Sequence, residues 1–151
     1  MRIALGYDVH RLSKSPSPLV LGGVEIHSDY SVIAHSDGDV IAHALIDAIA
    51  PLHLDKNIGE LFSDSTDENK GADSMKNLAT VYKASKSPKI VNIDIIVQSD
   101  EVMITPSSKQ IARNIENTLT LEEGAVTIKG KRTEGIYATP LIQVWAVVLF
   151  S

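Results

Sequence analysis

The segment IALGYDVH, residues 3–10, predicts the strand around which the rest of the fold is built. Its larger apolar side chains alternate with small or polar ones, the pattern of a β-strand with two different faces. Because side chains repeat every two residues along a strand, Asp8 and His10 lie on the same face. A carboxylate and an imidazole on one face can bind the same metal ion. The segment therefore predicts a strand and two ligands of a candidate metal site.

A second segment, HSDGDVIAH at residues 35–43, supplies a third candidate ligand, His43. From residue 38 to residue 50 the apolar side chains recur at helical spacing, which predicts an amphipathic helix. Asp37 is the candidate N-cap, and Pro51 is expected to end the helix. Together the two segments offer one carboxylate and two imidazoles, a ligand set that leaves the fourth position of a zinc ion open.

Neighbours of His43 fit both a catalytic and a purely structural interpretation. Asp47 follows it by one helical turn, so its carboxylate can accept the second ring N–H of the imidazole, or it can be a solvated carboxylate. Ser36 lies just before the helix, where free backbone N–H groups favour phosphate, but Ser36, Asp37 and Asp39 can also be simple capping residues. A lone histidine on a helix is more often a packing residue. The pattern alone leaves these interpretations open.

The remaining segments predict a single α+β domain over residues 1–151, with helices on one face of a mixed β-sheet. Further strands are expected at Leu19–Ile26, Ile90–Gln98, Ala125–Ile128 and Leu141–Phe150, further helices at Ala72–Ala84 and Pro106–Leu119, and an active-site loop at Leu52–Gly71. The last strand is apolar on both faces. Since helices cover only one face, the other face indicates a subunit interface.

Composition excludes several classes of function. The chain has 151 residues, a net charge of −5 and no cysteine. An acidic balance argues against a broad nucleic-acid surface, and the missing thiols rule out disulfides, thiolate zinc sites and a cysteine nucleophile. No apolar stretch approaches the ~20 residues that span a bilayer. We expect a cytoplasmic protein, or a plastid-type one if a transit peptide was removed, with neither nucleic-acid nor membrane partners.

The two opening motifs resemble the signature of the 2-C-methyl-D-erythritol 2,4-cyclodiphosphate synthase family. Later segments agree in order, namely Gly22-Gly23-Val24, Asn57-Ile58-Gly59, Leu61-Phe62-Ser63-Asp64, Lys70-Gly71-Ala72-Asp73-Ser74, Asn92-Ile93-Asp94 and Thr133-Glu134. The resemblance implies cyclisation of 4-diphosphocytidyl-2-C-methyl-D-erythritol 2-phosphate to 2-C-methyl-D-erythritol 2,4-cyclodiphosphate, with release of CMP, in non-mevalonate isoprenoid synthesis. It also implies a homotrimer whose sheets pack around a threefold axis and whose active sites are shared between subunits.

The resemblance further implies the roles of individual residues. Asp8, His10 and His43 would hold Zn²⁺, and Glu134 would hold a second divalent cation, Mg²⁺ or Mn²⁺. His35, Arg132 and Thr133 occupy the catalytic positions. The residues implied to contact substrate are Asp8, Val9, His10, His35, Ser36, Asn57, Ile58, Gly59, Phe62, Ser63, Asp64, Val97, Gln98, Ser99, Asp100, Glu101, Val102, Met103, Lys131, Arg132, Thr133 and Glu134.

Several positions depart from the family pattern. Lys131-Arg132 replaces two threonines of Thr-Thr-Thr-Glu, so Arg132 either donates to phosphate in place of a hydroxyl or points to solvent. Asn57 replaces an aspartate, and Asp100-Glu101 replaces Pro-Lys. Residues 135–140 replace a longer Gly-Phe-x-Gly-Arg stretch. These changes affect the nucleotide side and the trimer axis, and leave the metal ligands intact.

Three functions therefore stay open from the sequence. The first is the cyclodiphosphate synthase. The second is a zinc-dependent phosphoesterase that uses the same three ligands with water as nucleophile. The third is a non-catalytic trimer that binds zinc, a nucleotide or an isoprenoid diphosphate, and the departures near Arg132 are its best support.

Overall fold

Alternation in the N-terminal segment produces a long first strand, and the rest of the fold assembles on it. The computed structural model describes residues 1–34, 36–54 and 73–151, apart from the side chain of His53. The strands are β1 (Arg2–Lys14), β2 (Leu19–Leu21), β3 (Val24–Ile26), β4 (Tyr30–Val32), β5 (Ile90–Gln98), β6 (Val126–Lys131) and β7 (Leu141–Phe150). The α-helices are α1 (Val40–His53), α2 (Ser74–Ala84) and α3 (Ser108–Leu119), the last preceded by a 3-10 turn at Thr105–Ser107.

Five of the strands form a sheet in the order β4-β1-β7-β5-β6, and β2 pairs with β3 in a separate hairpin. β7 lies antiparallel to both β1 and β5, while β5 and β6 run parallel, so the predicted mixed sheet is confirmed. Val9 pairs with Gln143, which pairs in turn with Gln98. The carboxyl ends of β1, β5 and β6 therefore lie at the same end of the sheet.

The two faces of β1 differ as the alternation predicts. Ala4 and Gly6 are buried beneath α1, whereas Ile3 and Leu5 on the other face are 68% and 62% exposed. On the first face α1 packs against β1 and β7 and α3 packs against β6, as predicted, while α2 packs against the other two helices. Within the described ranges, no helix is long and apolar enough to cross a membrane.

Strand predictions are confirmed at Ile90–Gln98 and Leu141–Phe150, and differ elsewhere for local reasons. The strand expected over residues 19–26 is instead the β2–β3 hairpin, because Gly22 and Gly23 adopt φ angles of 56° and 71° and turn the chain. β1 and β6 are longer than predicted, and β4, which pairs with the end of β1, was not predicted.

Both predicted ends of α1 need correction. The N-cap is Asp39 rather than Asp37, and its side chain accepts from the backbone N–H groups of Ile41 and Ala42. Pro51 lies inside the helix instead of ending it. A proline this near the C-terminus of a helix removes a single hydrogen bond, and Leu54 N still donates to Ala50 O.

Asp39 also connects α1 to the hairpin. Its two carboxylate oxygens accept from Gly22 N at 2.8 Å and Gly23 N at 2.7 Å, in addition to the two helix N–H groups. The side chain is fully buried. Burial raises the pKa of Asp39 to about 6, against the lowering effect of its backbone hydrogen bonds. One carboxylate therefore holds the helix that carries His43 against the turn that follows β2.

We expect Asp39→Ala to destabilise the protein by about 3 kcal/mol or more, since it removes an N-cap and leaves two turn N–H groups without their acceptor. Asp73→Ala is the matched control, because Asp73 caps α2 through the Lys76 N–H and is partly exposed. The control should cost about 1 kcal/mol. Denaturant unfolding of both variants measures the difference, and equal losses would contradict the connecting role of Asp39.

Candidate metal site and active site

The three predicted metal ligands meet between β1 and α1. Asp8 Oδ2 lies 3.1 Å from His10 Nδ1 on its own strand and 3.1 Å from His43 Nδ1 on the helix. The two imidazole rings are 5.6 Å apart between centroids. Each of the three residues can place a ligand atom within 4.8 Å of those of the other two. Asp8, His10 and His43 therefore form a site that can bind a divalent metal ion.

Close packing between strand and helix creates this site. A Cβ on Gly6 would lie 1.8 Å from the carbonyl oxygen of Ala44 and 2.7 Å from the nitrogen of Ala48. Only glycine lets β1 approach α1 so closely. Asp8 and His10 follow on the same face of β1, and His43 lies in the first turn of α1, so the contact at Gly6 brings them together.

Charge within the cluster favours a cation. Burial raises the pKa of Asp8, but the close approach of the His10 and His43 imidazoles outweighs it and lowers the pKa to about 2. Burial lowers the pKa of His43, but the hydrogen bond to Asp8 and the nearby negative charges of Asp8, Asp39 and Asp37 raise it above 6.5 overall. Both shifts have the same physical cause, since the negative charge of Asp8 favours a positive charge beside it.

The donor atoms also fit a metal ion. Among the residues that the structure describes, His10 Nδ1 is buried and has no partner in hydrogen-bond geometry, although Asp8 Oδ2 is only 3.1 Å away. In a tetrahedral zinc site with bonds of about 2.0–2.2 Å, neighbouring donor atoms lie about 3.4 Å apart, close to the two distances observed here. A single metal ion bound by both His10 Nδ1 and Asp8 Oδ2 would give this nitrogen a partner.

The second nitrogen of His43 contacts α2, not Asp47. His43 Nε2 lies 3.0 Å from Ser74 Oγ and 3.4 Å from Ser36 Oγ. Asp47, for which the sequence left open a bond to His43 or a solvated carboxylate, instead accepts a hydrogen bond from Tyr7 N at 3.1 Å. The His43 ring therefore contacts two other elements, β1 through Asp8 at Nδ1 and α2 through Ser74 at Nε2.

A second candidate site lies at the carboxyl ends of the parallel strands β5 and β6. The segments that leave these strands, residues 99–105 and 130–132, line a cavity of about 370 Å³, within the range of small-molecule pockets. From the predicted substrate-contacting set, the lining includes Ser99, Asp100, Glu101, Val102, Met103, Lys131 and Arg132. Val97 is instead fully buried in the core. The Gln98 side chain bonds Arg132 O at 2.8 Å and Gln143 at 2.9 Å.

Asp100 organises the turn after β6. Its carboxylate accepts hydrogen bonds from the Thr133 backbone and hydroxyl and from Gly135 N, and it lies 3.7 Å from Arg132 Nε. The Thr133 side chain is therefore engaged by Asp100, while Arg132 is 72% exposed. Glu134 is exposed with a φ of 55° and is not part of the three-residue metal cluster.

Of the remaining predicted site residues, the structure describes Ser36 and Val9. Ser36 lies beside His43 Nε2, as noted, and Val9 is 43% exposed on the opposite face of β1 from Asp8. The rest lie outside the described residues, namely His35, Asn57, Ile58, Gly59, Phe62, Ser63 and Asp64, together with most of the predicted loop over residues 52–71.

Sequence reasoning missed two residues that hold the sites in place. Ser74 follows Asp73, an obvious capping residue, and had no separate signal as a partner of His43. Asp100 was predicted as a substrate contact and noted as a departure from the family pattern, but its role in the turn was not predicted, although a carboxylate there supplies an acceptor that proline lacks. Both roles depend on a tertiary contact between residues more than 30 positions apart, which local sequence patterns do not reveal.

Comparisons with known proteins agree with this arrangement. The YgbB family model matches residues 1–151. A 2-C-methyl-D-erythritol 2,4-cyclodiphosphate synthase of Clostridioides difficile (strain 630) is 41% identical over 138 residues, which cover 90% of this chain and 85% of the relative. The protein of the same name from Caldicellulosiruptor bescii is 42% identical over 137 residues, which cover 89% and 87%.

The fold of this chain also matches a solved structure over almost its whole length. A 2C-methyl-D-erythritol-2,4-cyclodiphosphate synthase in a CDP-bound form has a TM-score of 0.89 to this chain at 30% identity, covering 99% of this chain and 100% of the other. The resemblance drawn from the motifs is therefore confirmed at the level of sequence and of fold. This chain belongs to the YgbB family, and the two relatives described above are named as 2-C-methyl-D-erythritol 2,4-cyclodiphosphate synthases.

Proposed function

We propose that this protein converts 4-diphosphocytidyl-2-C-methyl-D-erythritol 2-phosphate to the 2,4-cyclodiphosphate and CMP. The observation that carries the proposal is the Asp8, His10 and His43 cluster in a chain of this family. The nucleophile is the substrate's own 2-phosphate, which attacks the β-phosphorus while CMP leaves. Such a reaction needs little from the protein beyond positioning and charge stabilisation. The metal cluster and the cavity after β5 and β6 lie at the same end of the sheet. The reaction requires this placement, because the metal and the nucleotide site must bind the same substrate.

We infer that the cluster holds Zn²⁺, because one carboxylate and two imidazoles suit zinc and leave a position for substrate. Bound there, zinc would act as a Lewis acid on the β-phosphate and orient it toward the 2-phosphate. Glu134 is proposed to hold a second divalent cation, Mg²⁺ or Mn²⁺, since it lies in the turn that Asp100 fixes beside the cavity. His35 and Ser36 are proposed to donate hydrogen bonds to the reacting phosphates.

The cavity after β5 and β6 is the proposed nucleotide site. The CDP-bound relative of the same fold supports this assignment, and the volume of about 370 Å³ suits a nucleoside. Lys131 and Arg132 supply positive charge at the cavity, where Arg132 takes the position of a family threonine. Thr133 is proposed to act through the turn that it forms with Asp100. Asn57 to Gly59 and Phe62 to Asp64 are proposed to bind the methylerythritol part.

The uncovered face of the sheet is the proposed trimer interface. Ile3, Leu5, Tyr7, Val9 and Val147 project from this face, each between 39% and 68% exposed. An apolar patch of this kind marks an interaction surface. We propose that three copies of the single domain, residues 1–151, pack these faces around a threefold axis and share their active sites. The two bacterial relatives named above support a cytoplasmic location and give no support to a plastid.

A turnover assay separates the three functions considered. Purified protein supplied with Zn²⁺, Mg²⁺ and the diphosphocytidyl substrate should release CMP and the cyclic diphosphate in equal amounts. A chelator should abolish both, because the ligand set is built to position phosphate through a metal. Release of inorganic phosphate would indicate the phosphoesterase, and no turnover with both metals would indicate the non-catalytic trimer. Either result would contradict the proposal.

Zinc affinity should fall as the pH decreases. The pKa of His43 is raised above 6.5, so its proton is held to a higher pH than usual and zinc must displace it. Asp8, with a pKa of about 2, remains a carboxylate throughout. One displaced proton lowers the affinity about tenfold for each pH unit below the pKa. Chelator competition across about pH 5–8 measures the slope, and a pH-independent affinity would contradict His43 as a ligand.

A further inference from the structure

Ser74 is placed to control the ring of His43. It is the first residue of α2, its side chain is fully buried, and its Oγ lies 3.0 Å from His43 Nε2. Asp37 lies behind it and accepts from both Ser74 Oγ and Ser74 N, the latter at 3.0 Å. Three groups thus form a chain from the Asp37 carboxylate through a buried hydroxyl to the imidazole.

The direction of each hydrogen bond in this chain is fixed. Asp37 is an acceptor, since it also receives Asp39 N at 3.2 Å. A serine hydroxyl has one proton, and Ser74 donates it to Asp37. The same oxygen can then only accept from His43, so the ring must carry its proton on Nε2. Ser36 Oγ is farther from Nε2, at 3.4 Å, and already accepts from Gly38 N.

We propose that Asp37 and Ser74 form a relay that fixes the tautomer of His43 and aims its Nδ1 lone pair at the metal. With the proton on Nε2, a neutral ring presents Nδ1 as an acceptor only 3.1 Å from Asp8 Oδ2, which is also an acceptor. Two acceptors at this distance repel each other unless a positive centre lies beside both. The relay therefore makes the cluster favourable when a cation is bound.

Asp37 and Ser74 are positioning residues in this account, because they act through His43 and do not touch the metal. Partners of this kind fix the tautomer of a metal-bound histidine, and removing one commonly lowers metal affinity about 10–100-fold. Sequence spacing left such a role open for Asp47, which instead accepts from Tyr7 N. The inference rests on the proposed metal site, and the experiments below separate the two.

Zinc affinity of the metal-free protein, measured by chelator competition, gives the first test. Ser74→Ala removes the acceptor of the His43 proton and should weaken zinc binding about 10–100-fold. Asp73→Ala is the matched control, because it removes the cap of the same helix while leaving the relay in place, and it should bind zinc like the wild type. Unchanged affinity in Ser74→Ala would overturn the relay and leave the proposed function standing. An equal loss in both variants would also overturn it, since displacement of α2 would explain the result.

Nitrogen NMR of the wild-type protein loaded with zinc gives a test that needs no folded relay variant. Long-range proton–nitrogen correlations, assigned to His43 by comparison with a His43→Ala sample, show which ring nitrogen carries the proton. The relay predicts a proton on Nε2 and zinc on Nδ1. A proton on Nδ1 with zinc on Nε2 would overturn the relay. Failure of the wild type to bind zinc at all would overturn the proposed metal site as well.

Discussion

Close contact between β1 and α1 at Gly6 determines the geometry of the metal site. The backbone of α1 occupies the space that any side chain at residue 6 would need. This contact brings the first turn of the helix to the face of the strand that carries Asp8 and His10. The opposite face of the same strand is apolar and exposed, so one strand serves both the site and the proposed subunit interface. Because side chains alternate along β1, one of its faces carries two metal ligands and the other forms part of the proposed subunit interface.

Carboxylates hold the surrounding elements in place. Asp39 joins the start of α1 to the β2–β3 turn, Asp37 joins the segment before α1 to the start of α2, and Asp100 joins the end of β5 to the turn after β6. Each accepts backbone N–H groups from a segment distant in sequence. A carboxylate that accepts from several donors fixes position more strictly than apolar contact does, and Asp39 is in addition fully buried. The site is thus positioned by polar contacts over an apolar core.

The metal ligands could be predicted from the sequence because their placement depends on local rules. A period of two in a strand puts Asp8 and His10 on one face, and the start of a helix places His43. The contacts that refine the site could not be predicted in this way. Local spacing favoured Asp37 as the cap, whereas the structure places Asp39 there, where its carboxylate also accepts from the distant turn at Gly22 and Gly23.

Partners distant in sequence account for the remaining errors. Ser74 is 31 residues from His43, so local spacing favoured Asp47, one helical turn away. β4 was missed because three residues are too few for a period to be recognised, and its pairing with the end of β1 decides its structure. The function could be predicted without knowledge of these contacts, because the family resemblance depends on sequence motifs across most of the chain.

Anomalous diffraction at the zinc absorption edge, from crystals of the wild-type protein, tests the central claim most directly. The structure predicts one strong peak bounded by Asp8 Oδ2, His10 Nδ1 and His43 Nδ1, with a fourth position open to solvent or phosphate. A zinc peak at other residues, or none between β1 and α1 in zinc-saturated crystals, would contradict the account.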